Sequence, residues 1–189
     1  MSSNSISFVP AQPQFQDDRH AKAEEIVKWL VEEQVIEPTL SDCVLGGDGY
    51  RLLPELAKFC EHGTEYLHHN LIIFGLEVIT QKNVFHPGGN GNDTVTCPAC
   101  KTCESDICDM QKNSRFLDLI NVWFEAESEF VPCPYCQKEI SIADFVFEPT
   151  WGFSDLGFTF WNTPPFHEDF AKEFERRLGC PIRVVYTHL

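Results

Sequence analysis

Basic residues are scarce in this chain: 14 Lys and Arg stand against 29 Asp and Glu, a formal net charge of −15. The shortage is spread along the whole length. Residues 1–92 hold 6 basic and 13 acidic side chains, residues 93–140 hold 4 and 9, and residues 141–189 hold 4 and 7. No stretch offers the clustered Lys and Arg that phosphate binding requires, which argues against nucleic acid and against anionic membrane as partners. Long apolar runs are missing as well. The longest, Leu71–Leu76, is far too short to cross a bilayer. Met1–Gln16 has neither the basic nor the apolar region of a secretory leader. The expectation is a soluble, cytoplasmic protein, and in that compartment nine cysteines point to metal ligation and free thiols rather than disulfides.

Several catalytic signatures are also missing. Gly46-Gly47-Asp48-Gly49 and Gly88-Gly89-Asn90-Gly91 lack the Lys-Ser/Thr of a phosphate loop, and neither fits a dinucleotide fingerprint. There is no Gly-x-Ser-x-Gly elbow. None of the seven histidines (His20, His62, His68, His69, His86, His167 and His188) sits in a metal-ligand pattern. His62 lies near Cys60, and a Cys–His nucleophile pair there depends on geometry. Glu24-Glu25 and Glu32-Glu33 fall on a helical pattern and read as a solvated face.

What the chain does have is material for a core: 43% hydrophobic residues, with 16 Phe and 4 Trp. Residues 1–16 read as a flexible lead-in. From Asp17 or Asp18 to about Glu33, Ile26, Val27, Leu30 and Val31 form a helical stripe, and Pro38 forbids its continuation. Residues 41–50 read as a loop and Leu53–Glu61 as a short helix. Leu71–Thr80 reads as a strand, with Val84-Phe85 pairing to it as a hairpin. A helix is expected near Arg115–Glu125, where Phe116, Leu119, Ile120 and Trp123 share a face, followed by a strand over Ile140–Phe147. Near the end, Gly157–Trp161 and Pro181–Thr187 are strand candidates around a helix. That helix begins at Asn162-Thr163-Pro164-Pro165, repeats Phe166, Phe170, Phe174 and Leu178 on one face, and stops at Gly179. If both strands share one sheet in parallel, this is a β-α-β unit. Trp151, Phe153 and Trp161 belong either to the core or to an exposed patch for a partner.

The strongest signal is a repeated motif. Cys97-Pro98-Ala99-Cys100 and Cys133-Pro134-Tyr135-Cys136 are two Cys-x-x-Cys turns, each preceded by a β-prone run, Asp93–Thr96 and Glu129–Pro132. Two residues between thiols let a tight turn aim both sulfurs at one ion, and two such turns complete a tetrahedron. In this respect residues 93–140 resemble the zinc-ribbon family. The resemblance implies one structural Zn2+ on Cys97, Cys100, Cys133 and Cys136, held by two β-knuckles, and no particular function. The departure from the family pattern is the long spacer from Lys101 to Pro132. It carries Cys103 and Cys108, which read as free thiols with ligand exchange as the alternative. Four cysteines close the coordination sphere, so the site reads as structural rather than catalytic.

The fold expected is α+β: a small mixed sheet with packed helices, formed by residues 17–92 and 141–189, with a zinc-ribbon insertion at 93–140. The function expected is a non-enzymatic, acidic protein that binds a basic protein partner, one concrete form being a bacterial toxin-immunity or inhibitor protein. Two alternatives remain open. One is a nucleic-acid- or transcription-associated ribbon using Lys101, Lys112, Arg115 and Lys138. The other is an enzyme with a pocket between core sheet and ribbon.

Overall fold

The computed structural model describes residues 3–15, 18–63, 65, 67, 70–88, 93–109, 114–125 and 128–189. Its frame is a six-stranded sheet. In spatial order it holds β13 (Ile182–His188), β1 (Asn4–Pro10), β12 (Gly157–Trp161), β4 (Gly75–Ile79), β3 (Gly47–Leu52) and β2 (Ile36–Val44). Every neighbouring pair is antiparallel, so the sheet is not the mixed sheet expected. The cause is β1. It lies within the residues read as a flexible lead-in, yet it occupies the place between β12 and β13. Ser5–Phe8 pair with Phe158–Trp161 on one side, and Asn4–Pro10 pair with Ile182–His188 on the other. The last two strands therefore run parallel to each other with an antiparallel strand between them.

Two helices cover one face of this sheet. α1 (Arg19–Glu32) is capped by the Asp18 carboxylate, which accepts from the backbone N–H of His20 at 3.0 Å and of Ala21 at 3.3 Å. Asp17, the other capping candidate, lies outside the described residues. α3 (Glu168–Leu178) has Glu168 and Asp169 in its first turn and Arg176 and Arg177 in its last, which suits the helix dipole, and Gly179 closes it at φ 83°. It starts later than expected. Phe166 is held extended by a bridge to Cys60, with His167 N donating to Phe59 O and Glu61 N to Pro165 O, both at 2.8 Å. Between helices and sheet lies the main core, built from Ile6, Phe8, Ile26, Trp29, Leu30, Leu76, Phe158, Phe160, Phe170 and Phe174.

Other local differences have local causes. Residues 41–50 form the β2–β3 hairpin, turning at Leu45-Gly46. The segment 54–59 is a 3-10 turn rather than an α-helix. β4 is shorter than the expected strand because side chains take the carbonyls ahead of it: Arg51 donates to Leu71 O at 2.7 Å and Ile72 O at 2.8 Å, and Asn162 to Ile73 O at 2.8 Å. β5 (Asn83–Phe85) does not pair with β4. Arg19 Nε donates to Thr80 O (2.8 Å) where the chain leaves the sheet, and β5 pairs with β11 (Gly152–Ser154) instead. The stretch 140–147 breaks into β9 (Glu139–Ser141), a 3-10 turn over 142–144, and β10 (Val146–Glu148), because Ile142 and Phe145 are both buried and Arg183 captures the Ala143 carbonyl.

The Gly-rich run is sheet packing as much as turn. A Cβ on Gly49 would come within 2.8 Å of Leu76 O, and one on Gly75 within 2.8 Å of Cys43 O and against Cys43 Sγ. Gly75→Ala is therefore expected to cost about 2 kcal/mol, as overpacking against backbone does. Gly47→Ala, whose Cβ would meet nothing within 4 Å, should leave the urea midpoint nearly unchanged. Equal midpoints for the two variants would refute the packing argument.

Candidate metal centre

Beyond the main sheet the chain builds a second core from short pieces. β6 (Thr94–Thr96) pairs with β7 (Cys103–Ser105) and with β10, and β8 (Phe130–Pro132) pairs with β9. α2 (Arg115–Glu125) packs on them with the face expected, burying Phe116, Leu119, Ile120 and Trp123. This cluster continues through Phe147, Trp151 and Phe153, so the packing unit around the cysteines runs past residue 140. Trp151, Phe153 and Trp161 are all buried, which places these aromatics in the core. Two cations tie the unit to the frame. Lys82 Nζ donates to Trp123 O at 2.5 Å, at the C-terminal end of α2, and lies 4.4 Å from the Trp123 ring centroid. Arg183 of β13 reaches the carbonyls of Ala143 and Trp151.

Each of the two β-hairpins, β6–β7 and β8–β9, carries a Cys-x-x-Cys turn at its tip, and the two turns are near copies. Cys97 N donates to Thr102 O at 3.0 Å, as Cys133 N does to Lys138 O at 2.9 Å. Lys101 N donates to Cys97 O at 3.0 Å, as Gln137 N does to Cys133 O at 2.9 Å. Lys101 and Gln137 both adopt left-handed backbone, φ 62° and 61°. That conformation costs an L-residue of the order of 1 kcal/mol, and it folds the chain back under the sulfurs. Cys97 and Cys133 directly follow β6 and β8 and are buried, Cys136 is half-buried and Cys100 is exposed.

The four thiols meet. Their sulfur atoms all lie within 4.8 Å of one another, with Cys100 Sγ and Cys133 Sγ 4.0 Å apart. A tetrahedral ion with sulfur at ~2.3 Å needs sulfurs about 3.8 Å apart, so this cluster could hold a metal ion with little adjustment. Cys100 N also points its hydrogen at Cys97 Sγ, at 3.5 Å, as ligating thiolates require. The side-chain hydrogen bond between Cys100 Sγ and Thr102 Oγ1, at 3.2 Å, draws the Cys100 thiol down to about 6, while loss of solvation pushes Cys133 up to about 11. Cys103 and Cys108 stand outside this group of mutually close donors. Cys103 is exposed on β7. Burial, then the Asp93 carboxylate, raises Cys108 to about 11.

Sequence reasoning did not single out Thr102, the Lys101/Gln137 pair, or the link between the two halves, in which Tyr135 OH donates to Glu104 Oε2 at 2.9 Å. The usable signal was position: Lys101 and Gln137 each follow the second cysteine of a motif. Of the basic residues in this region, Lys101 and Lys138 are exposed, Arg115 sits 5.6 Å from the Tyr135 ring centroid, and Lys112 lies outside the described residues.

The remaining candidates do not assemble with this centre. Burial drives the Cys60 thiol up to about 12, which makes it a poor nucleophile beside His62. His167 precedes α3 as its cap, and His86 Nδ1 accepts from Gly88 N at 3.2 Å. His68 and His69 lie outside the described residues. No helix among the described residues is long and apolar enough to cross a membrane. A groove of about 460 Å3 lies at the ends of β1 and β13, with Asn4, Tyr186, His188 and Pro149 in its wall and buried Asp93 at its margin. Searches against family models, curated proteins and solved structures found no match.

Proposed function

We propose that the chain is a non-enzymatic, acidic binding protein in which one zinc ion on Cys97, Cys100, Cys133 and Cys136 fastens a ribbon-like unit to an α+β frame, and that it docks a basic protein partner. The observation that carries the metal half is the pair of matched turns bringing four sulfurs together. Four thiolates suit zinc, which needs no redox partner and favours a tetrahedron, and they leave no position open for water or substrate. The partner half rests on charge. The chain carries −15, with acid in excess in each third of its length, and four thiolates around one divalent ion add negative charge at the centre. Such a field repels nucleic acid and speeds encounter with a cationic surface. An immunity or inhibitor protein that neutralises a basic target is one form this takes.

Metal analysis of the purified protein should return one zinc per chain, and a Cys97→Ser/Cys133→Ser variant should return none. Capture from the source cells, read by mass spectrometry, should yield one stoichiometric basic protein that elutes with salt. Nucleic acid in the eluate without a protein partner would overturn the partner half and leave the metal half standing.

A further inference from the structure

We infer that the groove at the ends of β1 and β13 binds a small organic cation, a primary ammonium on an apolar body, and that Asp93 is the residue that holds it. The inference is independent of the basic-partner reading above. The groove measures about 460 Å3, within the roughly 300–1,000 Å3 of small-molecule sites. It lies at the seam of the two cores. Ile6 and Tyr186 in its wall come from the six-stranded sheet, and Asp93 directly precedes β6, the strand that leads to Cys97. The Asp93 residue is 2% exposed, and its Oδ2 is buried with no hydrogen-bond partner among the described residues. The Cys108 thiol bonds the same carboxylate and leaves this oxygen unmet. Thr163 Oγ1, in the same lining, is likewise buried and unpartnered. Buried polar atoms are nearly always satisfied, and a carboxylate oxygen is among the costliest to leave unmet. Two unmet oxygens in one wall mark a site built for a donor from outside the chain.

Charge selects the occupant. Asp93 is the only carboxylate among the described lining residues, and no lysine or arginine stands with it. His86, which feels the Asp93 charge, packs its ring on Trp151, 5.3 Å between centroids. Loss of solvation there holds it below its ordinary pKa, so it stays uncharged at neutral pH. His188, the histidine in the wall, is engaged with Asn4 Oδ1. An ammonium brings the missing charge and three donors, and its hydrogen bond to a carboxylate sheltered from water is charge-assisted. Ile6, Pro87, Pro149 and Tyr186 give the rest of the ligand an apolar wall. Tyr186 is 55% exposed, and the face of such a ring attracts cations as well.

Phenethylamine provides the test, with 2-phenylethanol as its neutral counterpart and 3-phenylpropionate as its anionic one. Titrated into isotope-labelled protein at fixed salt, the amine should shift backbone amides within 4–6, 93–95 and 186–188. It should bind about tenfold or more tighter than the alcohol, and the acid should not bind. Asp93→Asn should erase the preference for amine over alcohol. It should also melt no lower than the parent, because it removes a buried charge that nothing in the chain compensates. Tyr186→Ala, at an exposed edge position, should keep the melting temperature and weaken amine and alcohol alike. Equal affinity for amine and alcohol, shifts confined to other residues, or a preference that survives Asp93→Asn would overturn the inference. A lower melting temperature of Asp93→Asn with amine binding unchanged would make Asp93 a structural group and overturn it too. Tighter binding of Nα-acetyl-lysine amide than of phenethylamine would assign the groove to a lysine side chain of a protein and overturn the small-molecule reading.

Discussion

Stripping the zinc proposed for Cys97, Cys100, Cys133 and Cys136 is expected to unfold the second core and leave the six-stranded sheet in place. The strands that carry the cysteines are three residues each: β6, β7, β8 and β9. They are arranged as two separate small sheets rather than one. Two- and three-stranded pieces of that length are marginal without further support. Structural zinc in comparable four-ligand sites contributes of the order of 10 kcal/mol to folding at neutral pH, far more than these ladders offer. Without that ion, the buried Cys97 and Cys133 lose a shared ligand, and the ends of β6 and β8 lose a link between them.

Acid should have the same effect as a chelator. Ligation requires thiolates, so protons compete with the ion, and affinity falls as pH falls. The sign follows from Cys133. Its thiol, raised to about 11 by loss of solvation, is protonated at neutral pH in the metal-free protein and must release that proton on metal uptake. Hydrogen exchange followed during chelation would show the result directly. Amides of 94–105 and 130–141 should lose protection while those of β1, β12 and α3 retain it. Uniform protection after complete metal removal would show that the second core stands on its apolar contacts alone.

The parts of this architecture that the sequence makes legible are those in which one local rule acts unopposed. α2 was readable to the residue because Phe116, Leu119, Ile120 and Trp123 have a single face to bury. The cysteine turns were readable because their chemistry fixes their spacing. β1 was not, and its residues show why. Ser5 and Ser7 alternate with Ile6 and Phe8, the pattern of an antiparallel strand with one face in water, but the run is short and is followed by a Pro- and Gln-rich stretch that reads as loop. The serines are nonetheless buried, and Ser7 Oγ reaches Thr159 Oγ1 across the neighbouring strand at 2.9 Å. A polar side chain whose partner lies 152 positions away looks, in sequence, like one that faces water. The start of α3 was misplaced for a similar reason. Phe166 continues the four-residue repeat of Phe170, Phe174 and Leu178, and its side chain does join the same core. What holds its backbone extended is a set of hydrogen bonds to 59–61, more than a hundred residues earlier in the chain.

Phe174→Ala is expected to destabilise the frame more than any other single truncation in the main core. The ring is fully buried at the centre of an aromatic cluster. Its centroid lies 5.0 Å from those of Phe8 and Phe158, both edge-on, 5.8 Å from Trp29 and 6.4 Å from Phe160. It therefore joins α1, α3, β1 and β12 at one point. Removing a fully buried phenyl ring costs ~3–5 kcal/mol where the site cannot collapse, and edge-to-face pairs add about 0.5–1.5 kcal/mol each beyond the area they bury. Collapse is blocked here because the neighbours are themselves rigid rings fixed on three other elements, β1, β12 and α1. In a chain of this length such a loss lowers the melting temperature by the order of 10 °C. The contrast with metal removal is the informative part. Phe174→Ala should lower the transition of the six-stranded sheet, seen in the protection of β1 and β12 amides, and leave zinc content unchanged below that transition. A loss of zinc at temperatures where β1 is still protected would show that the two cores are coupled more tightly than the Lys82 and Arg183 contacts imply.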